Sequence, residues 1–253
     1  MNIRGAVALI TGAGRGFGRA FAERLLEKNC KVVICEIDST TGSKTANELN
    51  NLYGDGSAMF IRCDVTKSAD IDNALKKTLE TYKKLNILVN NAGYLTETNW
   101  MKTLDVNLKA VINFSKKALP ILKQQDEQTA IVNISSAGGL FPMSENPVYS
   151  ASKYGVVGYS RSIADSIDSD KMKVLCLCPS FADSEGFLKE LKASENYKTI
   201  KKDVESLGVL KVSTVADVFL KALEAQNNNG AVIYINPFEI SYKFPHKLKN
   251  SKL

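Results

Sequence analysis

Tyr149 and Lys153 stand four residues apart in the stretch SENPVYSASKYG, residues 144–155, which the sequence predicts to begin a helix. One helical turn puts such a pair on one face, where a phenol beside an ammonium could exchange a proton with an alcohol oxygen. The ordinary pKa of a phenol, about 10, has to fall for that work, and a nearby cation lowers it. A fall of two to three units corresponds to roughly 3 to 4 kcal/mol in favour of the phenolate. The spacing alone is weak evidence. Nine tyrosines and 27 lysines in 253 residues produce it about once by chance. Tyr197 and Lys201 repeat it in ASENYKTIKKD, a charged stretch with no neighbours that would make a phenol reactive.

A second candidate lies near the start of the chain. TGAGRGFG, residues 11–18, follows an apolar run directly and places Gly12, Gly16 and Gly18, with Phe17 between the last two, at the opening of a helix. Glycines there permit a tight turn and close approach of backbone to a pyrophosphate, and a helix N-terminus offers unpaired N–H groups. The next apolar run ends in Glu36, 18 residues beyond Gly18. A carboxylate at that place accepts hydrogen bonds from both adenosine ribose hydroxyls and repels a 2′-phosphate, which favours NAD over NADP. Arg15 is the opposing signal, a cation inside the turn. Ile37 occupies the position where a second cation would help a phosphate, so NAD is the expected cofactor.

These residues need a scaffold, and the hydropathy pattern describes one. Seven short apolar runs read as buried strands: residues 6–11, 31–36, 57–65, 86–93, 130–136, 173–180 and 231–236. Helix-period segments near 17–28, 41–52, 68–83, 105–124, 148–168 and 214–226 separate them. Continuous apolar strands alternating with helices predict a seven-stranded parallel sheet covered on both faces, in a single α/β domain of the Rossmann type over residues 1–253. A charged insertion at 184–211 interrupts the rhythm after the sixth strand and reads as a small helical lid over the edge where ligands bind such sheets. Phe181 just before it and Phe187, Leu188 and Leu191 within it either line a greasy pocket or pack the lid against the body.

Composition narrows the rest. A hydrophobic fraction of 44% and a charged fraction of 24% are those of a soluble globular chain. No apolar run reaches bilayer length and the N-terminus lacks a leader pattern, so the expected location is the cytoplasm. The net charge of +6 owes much to a basic tail at 241–253, read as solvated and partly mobile, and the nearly balanced body gives no expectation of nucleic acid. Cys30, Cys35, Cys63, Cys176 and Cys178 fall mostly inside apolar runs without zinc-type spacing, and no metal site is expected. His246 is the only histidine, so a Ser-His-Asp hydrolase is not expected.

Taken together, T-G-x-x-x-G-x-G at Thr11 to Gly18, CDV at Cys63 to Val65, NNAG at Asn90 to Gly93, Asn107, Ser136, and Y-x-x-x-K at Tyr149 and Lys153 resemble the short-chain dehydrogenase/reductase family along essentially the whole chain. The resemblance implies that Tyr149 is the general acid/base and that Lys153 lowers its pKa while holding the nicotinamide ribose. Ser136, at the end of the fifth strand, would bond the substrate oxygen, the alternative being a helix or turn cap. Asn107, which sits in a predicted helix where asparagine is mildly unfavourable and so implies a compensating bond, would hold a water linking Lys153 to solvent. The resemblance also puts Cys63, Asp64 and Val65 at the adenine, Asn91 along the adenosine half, and Ala182 to Ser184 near the nicotinamide. Asn146 takes the place of a substrate-contacting glutamine. Pro179-Ser180 departs from the usual Pro-Gly, which puts the backbone of that loop in question. The expected activity is oxidation of a secondary alcohol to a ketone, with a lipid-like hydroxyl substrate of the 15-hydroxyprostaglandin type. The alternatives are a small alcohol, retinoid, terpenoid or steroid substrate, or a dinucleotide-binding protein without catalysis. Pairing of the helices at 105–124 and 148–168 would make a homodimer.

Overall fold

The computed structural model describes residues 1–184, 204 and 208–243. Most of the expected lid, the Tyr197–Lys201 pair and the tail beyond Lys243 lie outside the described residues.

The strands are β1 (Val7–Thr11), β2 (Lys31–Glu36), β3 (Ala58–Arg62), β4 (Ile87–Asn90), β5 (Thr129–Ile134), β6 (Met172–Pro179), β7 (Val232–Ile235) and β8 (Ile240–Tyr242). The long helices are α1 (Gly16–Leu26), α2 (Ser39–Tyr53), α3 (Ser68–Tyr82), α5 (Ala110–Lys123), α6 (Pro147–Asp165) and α7 (Val212–Glu224), with a short α4 (Trp100–Leu104) before α5. They form one sheet in the order β3-β2-β1-β4-β5-β6-β7-β8. All neighbouring pairs are parallel except β7 and β8.

Alternation along each strand explains the two layers. Ala8 and Ile10 of β1 face α1, α2 and α7, where Phe21 and Phe219 stack with ring centroids 4.4 Å apart. Leu9, between them, faces α3 and α5 through Ile71, Phe114 and Ala118. Strands buried on both faces read as unbroken apolar runs, which is why their positions are visible in the sequence. The chain order reverses between β1 and β4, so their carboxyl ends open a crevice between two diverging connections.

The structure corrects two expectations. The sheet has eight strands, not seven, because Asn236 folds the chain back after β7. Its side-chain oxygen accepts from the N–H groups of Phe238 and Glu239, both at 2.8 Å, and β8 pairs antiparallel with β7. Ile240 and Tyr242 on β8 are exposed, so the strand lacks the apolar run that marks a buried one. The start of the basic tail is consequently structured. Lys243 donates its N–H to the Val232 carbonyl, and its ammonium lies 3.3 Å from Glu239 and over the Tyr234 ring. The helix expected at 105–124 is also interrupted, since a turn of π-helix, Asp105–Lys109, joins α4 to α5.

A buried polar chain ties the helices near the crevice to the sheet. Asn90 on β4 donates to Ser115 of α5 at 2.9 Å and to Asn133 of β5 at 2.8 Å, while Asn133 donates to Ser160 of α6 at 2.8 Å. Satisfied networks of this kind fix registers that apolar packing leaves loose. Replacing Asn133 by Leu removes two of these bonds, and we expect a loss of about 2 kcal/mol in unfolding free energy, measured by urea denaturation.

Candidate active site

The glycine turn is built by backbone groups that need partners. At Gly12 the backbone takes φ +62°, carrying the chain across the end of β4. Asn91 holds it there, donating through its side-chain amide to the carbonyls of Thr11 (2.8 Å) and Gly12 (3.1 Å). Thr11 completes the clamp, because its hydroxyl oxygen accepts from the N–H groups of Asn91 and Ala92. From α2, Thr45 donates to the Gly14 carbonyl at 2.7 Å. A Cβ on Gly18 would overlap the Gly12 carbonyl oxygen and come within 2.7 Å of the Asn91 amide, so only glycine lets α1 start this close to β4.

On the outer side of the turn the situation is reversed. Gly16, at φ +57°, has among the described residues only the Ser184 Cβ, at 3.7 Å, near the place where a Cβ would stand. Helix α1 starts at Arg15 in extended conformation with no side-chain cap and no acid in its first turn. Phe17 packs inward beside Phe21. The helix thus presents its first N–H groups and positive dipole end to the crevice, the setting in which a phosphate binds.

Glu36 ends β2 beside this turn. Its carboxylate accepts from Gly14 N–H (3.2 Å), Ile37 N–H (2.9 Å) and Asp38 N–H (3.3 Å), which fixes its direction. Ile37 is exposed next to it. Across β3, the Cys63 N–H donates to the Glu36 carbonyl, and Asp64 accepts from the N–H and hydroxyl of Thr66. Val65 packs at the edge of the core below. The Cys35 thiol is held well above its ordinary value by a hydrogen bond with Cys63 and by burial. All five cysteines are free and buried, as their place in the apolar runs predicted.

Past β5 the other predicted residues converge. Lys153 is 4% exposed, and its ammonium donates to the Ile134 carbonyl at 3.0 Å and lies 5.6 Å from the centre of the Tyr149 ring. The Lys153 carbonyl accepts from Ser135 Oγ at 2.9 Å. Ser136 caps the short 3-10 turn Ala137–Gly139, its Oγ accepting from Gly138 N–H at 3.2 Å. That turn packs on the start of α6, where Ser150 donates to the Gly138 carbonyl and the Tyr149 ring passes 3.5 Å from the place of a Gly138 Cβ. Asn107 lies in the π-turn and is fully buried. Its amide closes a pair of 2.8 Å bonds with the N–H and carbonyl of Tyr94, and donates at 3.2 Å to Ser152, which in turn donates to the Tyr149 carbonyl. The compensating bonds expected of a helical asparagine are these. A Cβ on Gly93 would stand 3.8 Å from Asn107 Oδ1 and 3.9 Å from Lys153 Nζ, so both side chains border the space beside Gly93.

The loop after β6 closes the crevice. Ser180 continues the ladder, donating its N–H to the Ile235 carbonyl, and its backbone has no positive φ, so serine fits where glycine was expected. Its Oγ is buried without a hydrogen-bond partner. Ala182 bridges to Leu210, and Asp183 accepts from Val212 N–H at 2.8 Å, so the two ends of the insertion are joined at its base. Asn146 is buried at the N-cap of α6 but makes no capping bond. Sequence reasoning passed over Thr45, Ser135, Ser152 and Glu97. Glu97 accepts from the N–H groups of Val148 and Tyr149. Among the described residues no group of three metal-type ligands occurs, and no helix is long and apolar enough to cross a membrane.

Burial lowers Lys153 from 10.5 to about 8, against a smaller upward pull from Cys176 and Cys178 behind it. The unfolded chain therefore binds the extra proton between pH 8 and pH 10.5, and folding stability rises with pH across that window. We expect the wild type to gain about 3 kcal/mol on a Lys153→Met variant between pH 8 and 10.5, followed by chemical denaturation at a series of pH values.

Relatives carry the same framework. The 15-hydroxyprostaglandin dehydrogenase [NAD(+)] of Bos taurus is 36% identical over 246 residues, covering 93% of this chain and 92% of that one. The 3-oxoacyl-[acyl-carrier-protein] reductase FabG of Vibrio cholerae is 30% identical over 93% of this chain and 98% of its own. The crystal structure of 3-ketoacyl-(acyl-carrier-protein) reductase from Brucella melitensis complexed with NADH superposes with a TM-score of 0.80 at 28% identity, over 93% of this chain and 98% of that one. The family model described as short chain dehydrogenase matches residues 6–196, a stretch that runs from the first strand past the sixth and contains every side chain placed above around the crevice; the chain belongs to that family.

Proposed function

We propose that the protein is an NAD-dependent dehydrogenase that oxidises a secondary alcohol to a ketone, with a lipid-like hydroxyl compound of the 15-hydroxyprostaglandin type as substrate. The observation that carries this reading is the buried Lys153 ammonium beside the Tyr149 ring, at the same sheet edge as the uncapped N-terminus of α1. The side of Gly16 left open among the described residues, the missing cap on α1 and the unpartnered Ser180 hydroxyl fit a bound dinucleotide. Gly12, Arg15, Gly16, Phe17 and Gly18 would hold its pyrophosphate, Glu36 and Ile37 its adenosine ribose, Cys63 to Val65 its adenine, and Ala182 and Ser184 its nicotinamide end. When bound, the nicotinamide supplies the hydride acceptor.

The chain's own residues do the proton chemistry. Ser136 Oγ and the Tyr149 hydroxyl bond the substrate oxygen, and Tyr149 takes the hydroxyl proton as the C–H hydrogen leaves with its electron pair. Lys153 stabilises the phenolate and binds the ribose, which requires its ammonium form. Asn107 keeps the π-turn and Ser152 in place beneath Tyr149, where a water could pass the proton outward from Lys153. Asn146 would contact the substrate. In the reverse direction the same groups return the proton to a ketone, and the similarity to the FabG reductase of Vibrio cholerae supports that second reading. We also propose a homodimer formed through α5 and α6, whose exposed face includes Tyr154.

Tyr149→Phe is expected to lower turnover at least 1,000-fold while NADH affinity, read by fluorescence titration, stays within about twofold. The substrate class is tested on the wild type by NADH production over hydroxy fatty acids, prostaglandins, retinol, steroids and short alcohols. NADH binding without turnover on any of them would leave a binding protein. For the cofactor, Glu36→Ala with Ile37→Arg should shift the preference toward NADP by at least about tenfold, the ratio of kcat/KM values giving the answer.

A further inference from the structure

Helix α6 carries both Tyr149 and Lys153, and its N-terminus is closed in an unusual way. Pro147 at its first position has no N–H, and the Ser150 N–H donates to the Asn146 carbonyl at 2.9 Å. That leaves the N–H groups of Val148 and Tyr149 without a helical partner. Asn146, one of the best capping residue types, makes no side-chain bond to either. Both go instead to Glu97, about fifty residues upstream in the loop after β4: Oε2 accepts from Val148 at 3.2 Å and Oε1 from Tyr149 at 3.0 Å. One carboxylate thus satisfies every orphan donor of the helix, at its positive dipole end.

We propose that Glu97 is a positioning residue for the reaction: its carboxylate, by capping α6 from another loop, fixes the backbone of Tyr149. Three observations converge on this. The second bond is made to the backbone of Tyr149 itself. The loop that carries Glu97 also supplies Tyr94, whose N–H and carbonyl are held by Asn107, so the 94–97 segment is pinned at one end to the π-turn and at the other to α6. Thr103 of α4 donates to the Thr96 carbonyl at 2.6 Å, which fixes the segment between those two anchors. Since both bonds go to the first turn of α6, one of them to the residue that carries the phenol, a displacement of this segment that keeps them moves Tyr149 relative to Ser136. The inference rests on Tyr149 being the acid/base.

The test compares Glu97→Ala and Glu97→Gln with Tyr149→Phe and the wild type, using NAD and the best alcohol from the substrate panel, well below the unfolding midpoint. Glu97→Ala should lower kcat at least tenfold with KM for NAD within twofold. Glu97→Gln, which keeps one acceptor oxygen, should lie between it and the wild type. A second measurement needs no alcohol: amide hydrogen exchange at Val148 and Tyr149 should speed up at least tenfold in Glu97→Ala. Unchanged exchange, an unchanged kcat, or a loss confined to the KM for NAD overturns the proposal. If Tyr149→Phe is inactive while Glu97→Ala is normal, only this inference fails; if Tyr149→Phe still turns over, the acid/base role fails with it.

Discussion

A lysine ammonium buried at the end of a strand constrains everything around it. Lys153 loses water on folding, which lowers its pKa to about 8, and a buried ammonium needs oxygen at short range in place of that water. It does so with the Ile134 carbonyl, the last residue of β5. Reaching that carbonyl requires α6 to lie close over the strand end, and the contact is made at both ends of the same residue, since Ser135 bonds the Lys153 carbonyl. Gly139 has to be glycine for this approach, because a Cβ there would come within 2.7 Å of the Lys153 carbonyl oxygen. The residue next to this junction, Ser136, caps the 3-10 turn that packs on α6. The Asn90–Asn133–Ser160 chain, one layer deeper, keeps α6 from sliding along β5.

The glycine turn obeys the same rule with opposite sign. At Lys153 a charge is buried and the backbone supplies acceptors. At the end of β1 the backbone is bent sharply and its groups must be satisfied, so Thr11, Asn91 and Thr45 spend their polar atoms inward. Helix α1, by contrast, starts without a side-chain cap from Arg15. Both ends of the crevice are therefore prepared by internal hydrogen bonding.

Much of this was legible in the sequence because it is local. The parallel strands announce themselves as apolar runs, the glycine turn by its position between a strand and a helix, and Tyr149 with Lys153 by helical spacing. Asn107 was legible as a residue out of place, and its bonds to Tyr94 and Ser152 are what an asparagine inside a helix needs. The π-turn around it was not, because nothing in the residue pattern of 105–124 distinguishes an extra residue in a turn from a regular one. β8 was missed for a plain energetic reason: an edge strand exposed at Ile240 and Tyr242 needs no apolar run, only a partner edge and a turn at Asn236 to reach it.

Glu97 was illegible in a deeper sense. Helix-start rules look for the cap within a few residues, and here they find Asn146 at the right place with the right chemistry. The structure leaves that asparagine uncommitted and brings the cap from another loop. Local rules hold where a residue has only the helix to serve, and they yield where it has something else to meet. A capping side chain that turns toward its own helix cannot also face the crevice. Supplying the cap from Glu97 lets one anion take the backbone of both Val148 and Tyr149, with no capping bond asked of Asn146.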